Sequence, residues 1–80
     1  MMKYDEEKVD DTVLALLYLT SFSDRGIVRA WKGQSWDVLH RLHAKGLISN
    51  PQTKAKSVVM ADEGAKRSEA LFEEMFGKAV

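Results

Sequence analysis

Residues 36–48 read WDVLHRLHAKGLI, and this stretch predicts where a helix starts, which face it buries and how it stops. Ser35 stands at the N-cap position and Asp37 in the first turn, where an acceptor and a negative charge suit unpaired backbone N–H groups. Trp36, Leu39 and Leu42 recur at helical spacing with Val38 beside them, which makes one apolar face. At the far end Lys45 precedes Gly46, and Leu47 follows. With Gly46 at the left-handed C′ position, Leu47 becomes C″ and Leu42 becomes C3, the pair whose contact accompanies a Schellman ending. Leu47-Ile48 then begin a short strand and Asn50-Pro51 turn the chain. Ser57, Val58, Val59 and Met60 return as its partner. The polar loop between them, Gln52 to Lys56, carries Lys54 and Lys56.

Working outward, a first helix is expected from about Asp5 to Thr20. Asp5, Glu6 and Glu7 suit the positive end of its dipole, and Val9, Val13, Leu16, Leu17 and Thr20 share a face. Leu14, Tyr18 and Leu19 widen that face, and Ser21, Ser23, Asp24 and Gly26 end the helix. A last helix is expected from about Asp62 to Phe76. Ala61, Ala65, Ser68, Phe72, Met75 and Phe76 form its inner face with Leu71 alongside, Glu63 and Arg67 pair across one turn, and Gly77 ends it. Residues 23–34 read two ways. Ser23 or Asp24 can cap a short helix through Trp31, while Ile27-Val28 prefer a strand and Gly26 would fall in the helix's first turn. Two strands need helices to pack on, so the expected fold is a single α+β domain over residues 1–80. It has three main helices and a short antiparallel β-hairpin, a winged-helix-like plan.

Trp36 to Ile48 resembles the recognition helix and following strand of MarR-type and PadR-type winged-helix regulators. The stretch SVVMADEGAKRSEALFEEMF resembles their second wing strand and final helix, with Ala61 where those families place a threonine cap. The two stretches cover about half of the chain, and the whole sequence is similar to a family of short uncharacterised bacterial proteins. The resemblance implies a DNA-binding regulator whose helix at 36–45 enters the major groove. The segment between the first helix and that one has room for the usual strand or the usual supporting helix, but hardly for both.

Eighty residues make one domain, which buries only about 60 per cent of its unfolded surface. With no cysteine there is neither a disulfide nor a thiolate metal site. The start, Met-Met-Lys-Tyr followed by acidic residues, is unlike a signal peptide. The longest apolar run, Val13 to Leu19, is too short to span a bilayer. A soluble, cytoplasmic protein is expected. The formal net charge is zero but unevenly spread. Residues 1–24 carry two lysines against six acids; residues 25–56 carry seven basic residues against Asp37 alone; residues 57–80 carry three against five. A basic middle between acidic ends is either a solvated face or a surface for a polyanion.

For DNA binding, Arg41 would face base edges and His40 a base or a phosphate, with His43 and Lys45 at the edge of the helix. Lys54, Lys56, Arg25, Arg29 and Lys32 would hold phosphates. His40 and His43, three apart, lack further ligands at metal spacing, and no metal or other cofactor is expected. Trp36 is expected in the core, and Trp31 fits either the core or the surface. Phe72, Met75, Phe76 and Val80 suit either the core or a homodimer seam. No Gly-rich loop, nucleophile elbow or carboxylate pair marks an enzyme. Two readings therefore stand: a DNA-binding winged-helix protein, such as a small transcription regulator, and a protein-protein interaction module on the same scaffold. A contiguous surface of Arg41, Lys45, Lys54 and Lys56 would favour the first. An exposed apolar patch containing Trp31 or Phe76 would favour the second.

Overall fold

A carboxylate starts the first helix. Asp5 accepts a hydrogen bond from the Lys8 backbone N–H at 3.1 Å, and α1 runs Glu6–Leu19 behind it. The computed structural model describes residues 2–79, so Met1 and Val80, the latter a candidate seam residue, lie outside the described residues. The buried stripe of α1 is Asp10, Val13, Leu14, Ala15 and Leu17. Thr20 and Ser21 then turn their hydroxyls back onto the carbonyls of Leu17 and Tyr18, at 3.4 and 2.6 Å. These local bonds compete with continuation of the helix.

The open segment between the first two helices is a hairpin. β1 (Ser21–Asp24) and β2 (Ile27–Trp31) pair with Ser21 opposite Ala30 and Asp24 opposite Ile27. The two residues between them, Arg25 and Gly26, have φ of 55° and 81°, as a type I′ turn requires. β3 (Ser57–Val59) lies on the other side of β2, with Ala30 opposite Val58. The ladder extends at both ends through Lys32 N–H to the Lys56 carbonyl and Met60 N–H to the Val28 carbonyl. The sheet is antiparallel in the order β1-β2-β3. The expected wing is thereby corrected: Leu47-Ile48 contribute only an isolated bridge, Ile48 to Met60, and the main partner of β3 is β2. Ser49 N–H still reaches the Val59 carbonyl at 2.9 Å, but a buried Pro51 and the irregular loop after it keep residues 50–55 off the ladder.

α2 (Trp36–Ala44) buries Val38, Leu39 and Leu42. Its ending is the one read from HAKGL: Gly46 has φ 76°, Gly46 N–H reaches the His43 carbonyl at 2.9 Å, and Leu47 N–H reaches the Leu42 carbonyl at 3.1 Å. Gly46→Ala puts a Cβ into the left-handed region, so it is expected to cost about 1 kcal/mol. A thermal melt should then shift down by about 4–8 °C. An unchanged midpoint would contradict this ending. Ser35 occupies the N-cap position, but its side chain makes no capping bond.

α3 (Asp62–Phe76) begins behind Ala61, which has no side-chain cap, and packs chiefly on α1. Its buried residues are Gly64 and Ser68, with Ala65, Leu71 and Phe72 half-buried. Met75 and Phe76, placed on the inner face of this helix and read as core or as a dimer seam, are 42% and 49% exposed, so they are not core. Arg67 pairs with Asp11 at 3.6 Å, rather than with Glu63 as expected. The core joins Leu14 and Leu17 to Leu39, Leu42, Leu47, Ile48, Val58 and Met60. The fold is α+β, with three helices and one small antiparallel sheet. Among the described residues no helix is long and apolar enough to cross a membrane.

Candidate interaction surface

Asp10 sits in the middle of the apolar stripe of α1 with its side chain 1% exposed. An ionised carboxylate there needs partners, because removing it from water is otherwise costly. α2 supplies them from two residues one turn apart. Arg41 Nε donates to both Asp10 oxygens, at 2.9 and 3.0 Å, and its Nη2 lies 2.8 Å from Oδ1, off the hydrogen-bond line. Lys45 Nζ donates to Oδ2 at 2.9 Å. Two exposed acids complete the set: Glu6 accepts from Arg41 Nη1 at 3.2 Å, and Glu7 from Lys45 Nζ at 3.0 Å. Burial alone would push the Asp10 carboxyl up, but the hydrogen bonds from Arg41 and Lys45, together with their charges, hold it below its ordinary value. The Arg41 guanidinium is raised, first by its bond to Asp10. Partial burial works against the Lys45 ammonium, yet its bonds to Asp10 and Glu7 raise it above the usual lysine value. The result is a clamp between α1 and α2.

Arg41 was expected to face away from the core and instead turns inward onto α1. The helical position is as read; the missing element was Asp10, whose charge draws the side chain back. Two other candidates are also held by the protein. Arg29 Nε donates to the Ser57 hydroxyl at 2.8 Å and lies along the sheet. Lys32 Nζ donates to the carbonyls of Pro51 and Thr53, at 2.7 and 2.9 Å, and stands 5.7 Å from the centre of the Trp36 ring. Lys54 and Lys56 remain exposed on the loop before β3, and Arg25 at the hairpin turn. His40 is exposed beside Trp36, with ring centres 6.1 Å apart. His43 Nδ1–H donates to the Ile48 carbonyl at 3.0 Å. Among the described residues no group of three or more His, Cys, Asp or Glu comes together to hold a metal.

The structure therefore divides the seven cations and histidine proposed for DNA. Arg41 and Lys45 are joined to α1 at the C-terminal end of α2. Lys32, Lys54 and Lys56 gather with Trp36 in a shallow depression at its N-terminal end. The four residues that the DNA reading groups thus have different neighbours, Arg41 and Lys45 bonding to Asp10 and Lys54 and Lys56 lying beside Trp36.

Apolar side chains stand out instead. Trp36 was expected in the core and is 55% exposed, because it stands in the first turn of α2, ahead of the buried Val38, Leu39 and Leu42. Trp31 is 54% exposed and stacks on Phe22 with ring centres 4.9 Å apart, on the outer side of the sheet. A second patch forms where two helices end. Asp11 meets Arg67, and further along Tyr18 meets Phe72 at 5.3 Å between ring centres, so α1 and α3 run in the same direction. Phe72 stacks in turn on Phe76 at 5.2 Å. Leu19 and Met75 are exposed at the same ends, Leu19 by 65%. Beside Tyr18 a groove of about 330 Å³ separates β1 from α3, lined by Phe22, Val28, Ala65, Ser68 and Glu69 among others.

Fold and surface together define a small α+β scaffold whose middle helix is tied to the first by a buried acid and whose aromatic residues are displayed. The chain belongs to the family described as Domain of unknown function (DUF6429), which matches residues 5–78. It is 52% identical over 75 residues to a protein of Sinorhizobium fredii (strain NBRC 101917 / NGR234) described as "Uncharacterized protein y4hR", covering 94% of this chain and 97% of the relative. No solved structure matches the chain.

Proposed function

We propose that this domain is a non-catalytic protein-protein interaction module built on a reduced winged-helix plan, with the β1-β2 hairpin in place of the supporting helix. The observation that carries the reading is the clamp. Arg41 and Lys45, the two α2 cations that a groove-reading helix would present, are bound to Asp10, Glu6 and Glu7. Meanwhile Trp31, Leu19, Met75 and Phe76 stand exposed, as residues of a contact surface do. A phosphate backbone approaching α2 would meet Glu6, Glu7 and Asp37, which carry its own sign. A second reading, contact with a polyanion such as DNA, rests on the depression that brings Lys32, Lys54 and Lys56 around Trp36. An aromatic face among lysines suits a nucleic-acid strand.

Fluorescence anisotropy with a labelled mixed-sequence duplex separates the two. At about 50 mM salt the protein is expected to leave the duplex unbound up to about 100 µM. Micromolar binding that weakens at about 200 mM salt and disappears in Lys54→Glu, Lys56→Glu would overturn the interaction reading in favour of the second.

A further inference from the structure

The patch at the paired helix ends has a sign as well as a shape. A helix carries about half a negative charge at its C-terminus, concentrated on the unpaired carbonyls of the last turn. Here α1 and α3 run in the same direction, so both negative ends lie at one end of the molecule. Neither last turn holds a basic residue. The second half of α1 has no charged residue after Asp11, and α3 adds Glu69, Glu73 and Glu74, all exposed. Arg67 is engaged by Asp11, and Lys78 lies two residues beyond the helix. Within this field stand Tyr18, Leu19, Phe72, Met75 and Phe76. Glu69 also edges the groove between β1 and α3.

We propose that this end of the domain docks a cationic amphipathic helix of a partner protein. The inference rests on the interaction reading and names its surface and partner chemistry. Leu19, Phe72, Met75 and Phe76 take the partner's apolar stripe, as helix-in-groove recognition does. Glu69, Glu73, Glu74 and the helix-end carbonyls face its lysines or arginines. Charge complementarity selects this occupant over a second copy, since two copies meeting here would bring like charges and like dipole ends together.

The test uses fluorescein-labelled amphipathic helices of about 18 residues, one built of leucine and lysine and one of leucine and glutamate. The leucine-lysine helix is expected to bind with micromolar affinity that weakens several-fold from about 50 to about 200 mM salt, while the leucine-glutamate helix does not bind. Leu19→Ser with Phe76→Ser, and separately Glu69→Lys with Glu73→Lys and Glu74→Lys, should each weaken it at least about tenfold. Ile27→Ser, at an exposed apolar position at the start of β2 outside the patch, should leave it within about twofold. Circular dichroism confirms that each variant is folded. The inference is overturned by failure of the lysine helix to bind, by equal binding of both helices, or by binding that survives the charge reversal. It is also overturned if sedimentation shows a wild-type dimer that Leu19→Ser with Phe76→Ser separates, since a second copy then occupies the patch. Failure of the lysine helix with the duplex still unbound removes this inference alone. Duplex binding through Lys54 and Lys56 removes the interaction reading itself.

Discussion

Asp10→Ala is expected to destabilise the domain by about 3 kcal/mol, because it breaks a buried ion pair and leaves two cations with their principal partner gone. The loss falls at the lower end for such pairs, since the Arg41 and Lys45 side chains keep 24% and 32% exposure and can be partly rehydrated. In an 80-residue chain this corresponds to a thermal midpoint about 12–24 °C lower. The pH dependence carries the same signature. Asp10 titrates below its ordinary value in the folded state, so the native protein binds fewer protons there than the unfolded chain. Its contribution is complete above the unfolded value of about 3.9 and is lost as pH falls from there through the depressed native value. Lys45 is raised, so its contribution is complete at neutral pH and disappears only as pH rises beyond about 10.4 through the raised native value. Urea unfolding at several pH values should therefore show a steeper acid decline in the wild type than in Asp10→Asn. Equal stability of Asp10→Ala and wild type at pH 7 would mean that the clamp contributes nothing.

The second large effect is expected at Gly64, in the first turn of α3. The chain comes back against its own backbone here: the Leu47 carbonyl accepts from Ala61 N–H at 3.0 Å and lies directly over Gly64. A Cβ at this position would sit 2.8 Å from the Leu47 carbonyl carbon and nearer still to its oxygen. Neither is the movable end of a side chain. Gly64→Ala must therefore push α3 away from the end of α2, and an overpacked site of this kind costs about 3 kcal/mol. The exposed position Ala70 serves as the reciprocal control: Ala70→Gly should cost only about 1 kcal/mol, the ordinary helix-propensity difference. Denaturant unfolding of both variants measures the contrast. A Gly64→Ala protein at or above wild-type stability would contradict the close approach.

Much of this architecture is legible in local signals. The bounds of α1 and α3, the Schellman ending at Gly46 and the return strand follow from periodicity and capping, because each depends on residues near one another in the chain. The hairpin over residues 21–31 was not decided locally. Its first strand lacks clear alternation, and its turn places Arg25 rather than Asn or Asp at the first left-handed position. What settles it is β3, about thirty residues on, which gives β2 a second partner. The orientation of Arg41 had a readable sign. Asp10 is in helical phase with Val13, Leu14 and Leu17, and an acid on an apolar stripe calls for a cation. Arg41 and Lys45, one turn apart, are the matching pair. The exposed tryptophans carry no such sign, because a large aromatic reads as core until the tertiary structure shows which side of its element is covered.

The central claim, that the α2 cations are held by α1 and do not serve a polyanion, is tested most directly by a ¹H–¹⁵N spectrum of the arginine Nε–H groups, recorded with and without a mixed-sequence DNA duplex. The Arg41 Nε–H is predicted to exchange slowly, as a group bonded to both oxygens of a buried carboxylate should, and to stay in place when the duplex is added. An Arg41 signal that exchanges as fast as that of exposed Arg25 and moves on addition of DNA would contradict the account.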